Sequence, residues 1–298
     1  TPARGSYFPF PIDGNYNRAF RFRTSYKPDG TRHDGRQTKT SGRELQMASY
    51  KVAGVIPSRY GSTRLPGKPL MRIGGKTLIQ RVYERCAEAK TLDSLIVATD
   101  DDRIYKAVGS FGGQVVMTRP DHPSGTDRLA EVAQTLDADI LVNIQGDQPF
   151  IAARMFAEAV QPLLDDPEIQ MSTLAYPLQD ETALHNPAVV KVATNLAGYA
   201  LYFSRSLIPF PRDGKPRHVY QHIGTYVYRK AFLLQLARLE PTPLERIESL
   251  ERLRVLEHGY RIKTVITQCL DQAFHGFGVD TPEDLQRAEA MLRERGCD

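Results

Sequence analysis

Apolar positions are sparse over the first 49 residues and then fall into regular patterns. Residues 52–56 (VAGVI) read as a first strand, a short apolar run of β type. Leu78, Ile79, Val82, Tyr83 and Cys86 lie on one helical stripe and predict a helix over 77–90. A second strand follows at 95–98. The next helix spans 101–111, with Thr99 as its expected cap, early aspartates suited to its N-terminal dipole and Gly112-Gly113 as its stop. A third strand at 115–117, a helix over 124–136 and a strand at 140–144 complete the first half. This order predicts an α/β fold, a mostly parallel sheet with helices on both faces, with ligands bound beyond the carboxyl ends of the strands. From residue 171 the pattern changes. Short β-type runs at 171–176, 189–194, 199–203 and 224–228 are not separated by long helices, and Leu196-Ala197-Gly198 reads as a turn. An antiparallel insert or lobe over roughly 171–260 is expected. Leu244, Ile247, Leu250 and Leu253 predict a helix over 244–256 with those residues buried, and Glu248 and Arg252 as an i,i+4 pair on its solvated face. A strand at 261–267 precedes a last helix, capped by Thr281 with Pro282 at its first position.

Composition divides the chain at the same place. Among Val, Ile and Leu, residues 1–49 contain only Ile12 and Leu45, and they show no period of strand or helix. They are read as a disordered or non-native N-terminal extension, with Met47 as a candidate translation start and an organelle transit segment as the weaker alternative. Residues 50–298 form the expected catalytic domain. The leader carries nine Lys/Arg against four Asp/Glu, which leaves 30 basic and 31 acidic residues for the rest. The formal charge of +4 is thus a property of the leader, and nucleic acid is not an expected partner of the domain. Cys86, Cys269 and Cys297 are widely spaced and odd in number. They offer neither a zinc pattern nor a disulfide framework, in keeping with a cytoplasmic location. No run of 18 apolar residues is present, so no membrane insertion is expected.

Candidate chemistry concentrates where strands end. Residues 57–70 (PSRYGSTRLPGKPL) follow the first strand and place Arg59, Arg64 and Lys68 within ten residues, with Gly61 and Gly67 permitting close backbone approach. Such a loop suits a triphosphate, although a solvated cationic loop has the same composition. It is not a P-loop: the glycine spacing is wrong and Pro69 stands where a magnesium-binding hydroxyl is needed. Gly75-Lys76-Thr77 ends as a P-loop does, but position 70 is leucine. Asp147, after the strand at 140–144, and Asp280, before the last helix, fit either a shared Mg2+ site or turn and cap roles. His222 and His275 each fit a satisfied structural histidine as well as a functional one, and no nucleophile–base triad is legible.

Taken together, residues 57–70, 96–100, 124–131, 142–147, 198–205, 222–229 and 278–285 resemble, in order, the motifs of the 3-deoxy-manno-octulosonate cytidylyltransferase (CMP-Kdo synthetase) family. The resemblance spans essentially all of residues 50–298 and leaves the leader without counterpart. Gln148, Phe210 and Arg252 depart from the residues usual in that family, Arg252 by replacing an uncharged one. The resemblance implies a nucleotide-diphosphosugar transferase-like (Rossmann-like) fold and a homodimer. The implied reaction transfers CMP from CTP to Kdo, forms CMP-Kdo for lipopolysaccharide biosynthesis and releases pyrophosphate. It further implies that Arg59, Ser62, Arg64 and Lys68 grip the triphosphate, with Ser124 and Gln145 also on the CTP side. Asp147 and Asp280 would hold Mg2+. Gln145, Arg205, His222, Tyr226 and Glu251 would face the sugar, with arginine suited to its carboxylate. The alternatives are a cytidylyltransferase for another acidic sugar (8-amino-Kdo or a sialic acid), a non-enzymatic nucleotide-binding regulator and a P-loop NTPase.

Overall fold

The computed structural model describes residues 50–61, 65–215, 218–269, 271, 274 and 276–296. The chain divides into two units, Thr1–Met47 and Ala48–Asp298, and the described residues all belong to the second. Ser62, Arg64, His275, Cys297 and the leader lie outside the described residues.

The strands are β1 (Val52–Ser58), β2 (Arg72–Ile73), β3 (Lys76–Thr77), β4 (Ser94–Thr99), β5 (Val115–Met117), β6 (Ile140–Asn143), β7 (Met171–Pro177), β8 (Lys191–Thr194), β9 (Ala200–Ser204), β10 (Tyr220–Arg229) and β11 (Lys263–Ile266). The α-helices are α1 (Leu78–Ala87), α2 (Asp102–Ser110), α3 (Gly125–Thr135), α4 (Ala153–Asp165), α5 (Glu181–His185), α6 (Lys230–Leu236), α7 (Pro243–Glu248), α8 (Arg252–Glu257) and α9 (Pro282–Arg295). One sheet runs β11-β7-β10-β6-β1-β4-β5, with β8 attached to β10 and β9 to β8. The pairs β1–β4, β1–β6, β4–β5 and β7–β11 are parallel. Within this sheet, antiparallel strand pairing among the described residues is confined to β10 with β6, β7 and β8, and to β8 with β9, while β2 and β3 form a separate antiparallel pair. The expected antiparallel segment is therefore continuous with the main sheet through β10.

Alternation along the central strands explains the layering. Val52 and Ile56 of β1 face one core with Ile140 and Val142 of β6, while Ala53 and Val55 face the other with Leu141. The first core is closed by buried residues of α1, α2, α4 and α9, the second by those of α3, α6 and α8. The chain leaves β1 toward β4 and β5 and returns to β6 on the opposite side of β1. Loops after β1 and β6 thus flank a topological switch point, where ligands of such sheets bind.

Four local expectations are corrected. Asp101, not Thr99, caps α2 by accepting from Arg103 N, while the Thr99 hydroxyl accepts from Asp101 N. The single helix over 244–256 is two, broken at Ser249 with φ 52°. Ile247 is 78 % exposed instead of buried. Because of the break, Glu248 and Arg252 do not pair: Glu248 binds the Ser204 hydroxyl and Arg205 N, and Arg252 turns to His222. The rejected P-loop ending at Gly75-Lys76-Thr77 is a Gly74-Gly75 hairpin turn between β2 and β3, and Thr77 caps α1.

Candidate active site

Lys68 is placed by a compact turn after β1. Gly67 takes φ 70°, its N–H donates to Tyr60 O at 3.0 Å, and an added Cβ would meet the Tyr60 ring at 3.0 Å, so only glycine fits without displacement. Lys68 then opens a short 3-10 turn and its ammonium reaches two carboxylates, Asp147 Oδ2 at 3.1 Å and Asp280 Oδ1 at 3.0 Å. The carboxylates belong to loops joined by a backbone bond, Val279 N to Asp147 O at 2.9 Å. Asp280 also stands at the N-terminus of α9, where the Thr281–Asp284 capping box fixes the turn. Burial opposes charging of Lys68, but Asp147 and Asp280 outweigh it and hold its pKa above the ordinary value.

Asp147 and Asp280 line a cavity of about 600 Å³ together with Gln145, His222, Tyr226, Glu251 and Arg252. Gln145 is fixed by donating to Gly224 O at 2.8 Å. Glu251 accepts from the Ser124 hydroxyl at 3.2 Å and the Thr126 hydroxyl at 2.7 Å. Burial raises its pKa against the opposing effect of these donors and Arg254. Tyr226 is buried, which pushes its phenol up to about 12. His222 is spent on the protein at both ring nitrogens. Arg252 lies 2.8 Å from Nδ1 and Thr173 Oγ1 lies 3.0 Å from Nε2. An arginine can only donate, so Nδ1 is the acceptor and Nε2 carries the proton. Burial, and then the Arg252 cation, press its pKa well below 6.5. His222 is therefore a neutral support for Arg252, with no free nitrogen for a substrate.

A second, smaller cavity of about 150 Å³ adjoins the first at Pro57 and Gly125 and is lined by Ser58, Arg59, His122, Ser124 and Arg128. Ser124 caps α3 there, and the Ser58 hydroxyl is buried without a partner. The pairing of a small polar slot with exposed Arg59 suits the nucleotide side, and the larger cavity suits the acceptor. Arg205 lies elsewhere: it donates to Glu248 O, Pro187 O and Ser249 O, and clamps the junction between α7 and α8. Sequence reading singled out neither Thr126 nor Thr173, the partners that orient Glu251 and His222. Thr126 does lie inside the block at 124–131.

Asp147 and Asp280 supply hard oxygen donors converging on one cation, the Lys68 ammonium. That donor set fits Mg2+, which takes one or two carboxylates and completes its shell with substrate phosphate. Among the described residues no cluster of three or more His, Cys, Asp or Glu could hold a metal, so the protein here would contribute only part of the shell.

These elements define a nucleotidyltransferase of the cytidylyltransferase class, whose family model matches residues 53–263. The chain belongs to the 3-deoxy-manno-octulosonate cytidylyltransferase family. The enzyme of that name from Syntrophotalea carbinolica is 53 % identical over 251 residues, covering 81 % of this chain and 98 % of the relative. Its namesake from Protochlamydia amoebophila is 49 % identical over 249 residues, covering 81 % of this chain and 94 % of its own. A solved CMP:2-keto-3-deoxy-manno-octonic acid synthetase, complexed with CTP, matches with a TM-score of 0.78 and 43 % identity over 82 % of this chain and 99 % of the other. A Leptospira borgpetersenii cytidylyltransferase structure at 20 % identity and TM-score 0.57, covering 82 % of this chain and 87 % of its own, shares the fold.

Proposed function

We propose that this chain transfers CMP from CTP to 3-deoxy-D-manno-octulosonate, giving CMP-Kdo and pyrophosphate for lipopolysaccharide assembly. The observation that carries the reading is the convergence of Lys68, Asp147 and Asp280 beside two adjoining cavities, in a chain closely similar to a synthetase solved with CTP. In this reading the anomeric hydroxyl oxygen of the sugar bonds to the α-phosphorus in line, and the bond to the pyrophosphate oxygen breaks. The protein does positioning and charge work. Arg59 and Lys68 hold the triphosphate, with Arg64 and Ser62 assigned there by resemblance. Ser124 borders the nucleotide, and Gln145, Tyr226 and Glu251 border the sugar. Asp147 and Asp280 would hold Mg2+. When bound, that ion neutralises charge developing on the phosphates and lowers the pKa of the attacking hydroxyl. If the aspartates held that ion, Lys68, which bridges them here, would be available to pair with the phosphates.

The same reading carries a cytoplasmic homodimer. Exposed apolar side chains at Leu201, Phe210 and Ile247 supply surface for self-association, and among the described residues no helix is long and apolar enough to cross a membrane. Light scattering should give twice the 33.5 kDa chain mass. The reaction is tested by following pyrophosphate release from CTP with Mg2+ and a panel of sugar acids. Kdo should be turned over fastest. Phosphate release without sugar, or CTP binding without turnover, would reject the reading.

A further inference from the structure

The charge inventory of the larger cavity leaves one cation without a counter-ion. Arg252 lines it, yet no carboxylate lies within ion-pair range of its guanidinium among the described residues. Its recorded hydrogen bond goes to neutral His222 Nδ1 at 2.8 Å. Its Nε is buried with no partner at all. The guanidinium carbon stands 5.6 Å from the Phe203 ring and 5.7 Å from the Tyr226 ring, so two aromatic faces guide it without offering it an acceptor. The neighbouring acid, Glu251, is occupied by the Ser124 and Thr126 hydroxyls. A buried donor left unmade is costly, and a guanidinium presents its donors as a planar fork matched to a carboxylate.

We propose that Arg252 is the carboxylate-binding residue of this chain's sugar subsite, the terminal nitrogen that His222 does not engage donating to the carboxylate of the acidic sugar. The inference rests on the functional reading above and adds the specificity element. The acid group is selected by a cation that departs from the family's usual residue, while Arg205, the arginine expected from the sequence, serves the α7–α8 junction. His222 acts through Arg252, accepting from one terminal nitrogen and so holding the guanidinium at the wall of the cavity.

The test compares Kdo with its carboxamide, an analogue of nearly the same shape without the charge. For each, kcat/KM is measured with wild type, Arg252→Gln and Arg252→Lys. Glutamine keeps an N–H donor for His222 and removes the charge. Wild type should prefer the acid. In Arg252→Gln, kcat/KM for Kdo should fall about 10- to 100-fold, the scale of one charge-assisted hydrogen bond. The carboxamide should be little affected, and the KM for CTP should stay as in wild type. A merely structural role would depress both sugars and CTP together. Arg252→Lys should recover part of the acid preference. Wild-type acid preference retained in Arg252→Gln, or a lysine variant no better than glutamine, overturns the proposal while leaving the transferase reading intact. Absence of Kdo turnover by wild type overturns both.

Discussion

Lys68 holds two carboxylates together that would otherwise repel each other at the wall of the larger cavity. Replacing Asp147 by Asn keeps the shape but removes one of the two charges that would hold Mg2+. With saturating Mg2+ and CTP, turnover should drop by about 10²- to 10³-fold. Near-normal turnover would show that Asp147 has no part in the metal site. Lys68→Met should instead raise the KM for CTP and leave the KM for the sugar nearly unchanged. An effect confined to the sugar would place the loop at the wrong substrate.

His222 makes a second residue-scale prediction, in stability. Its ordinary value of 6.5 falls far lower in the fold. As pH drops through 6.5 the unfolded chain takes up a proton that the folded chain refuses. The contribution of the neutral imidazole is thus full above that pH and is lost below it, by up to about 1.4 kcal/mol per pH unit. Urea midpoints taken at about pH 7.5 and about pH 5.5 should fall further for wild type than for His222→Gln. Equal falls would mean that the ring titrates alike folded and unfolded.

At the scale of elements, the junction of α7 and α8 decides where Glu251 and Arg252 point. It turns at Ser249 and is fastened to β9 by Glu248, which accepts from the Ser204 hydroxyl at 2.6 Å and from Arg205 N at 2.9 Å. Arg205 returns the contact by donating to Glu248 O at 2.7 Å. Glu248→Ala removes the acceptor from a half-buried backbone N–H, a loss on the order of 1–3 kcal/mol. It should lower the unfolding midpoint and raise the KM for the sugar more than that for CTP, because the smaller cavity, proposed above for the nucleotide, is lined from β1 and α3 and not from this junction. A KM change for CTP alone would contradict this division. The junction also shows where sequence reading stopped. The spacing of Leu244, Ile247, Leu250 and Leu253 fits one amphipathic helix, and a serine at φ 52° carries no signal of the kind a glycine would. The main-sheet strands of the first half were legible because each face of the sheet packs a separate core, so alternation or a continuous apolar run marks each; the two-residue strands β2 and β3 carry no such run and were missed. The partners of His222 and Glu251 were not, since Thr173 and Thr126 meet them only after distant strands and helices have paired.

For the molecule as a whole, the two aspartates lie 133 positions apart and meet because the loop after β6 and the loop before α9 are joined, Val279 N to Asp147 O at 2.9 Å. Every described residue of both cavities lies at or after Pro57, and the first sheet strand begins at Val52. The family match starts at residue 53. The described residues of the site thus all belong to the second unit. A chain beginning at Ala48 still contains the whole second unit and should keep the turnover and both KM values of the full chain to within about twofold, well under the tenfold that 1.4 kcal/mol represents. The leader does carry a net charge of +5 from its nine basic and four acidic residues, so it contributes long-range attraction for polyanions that salt screens. Comparing both chains at low and at physiological ionic strength separates the two effects. A difference seen only at low salt is electrostatic steering by the leader. A difference that persists at physiological salt would mean that residues before Ala48 complete the site.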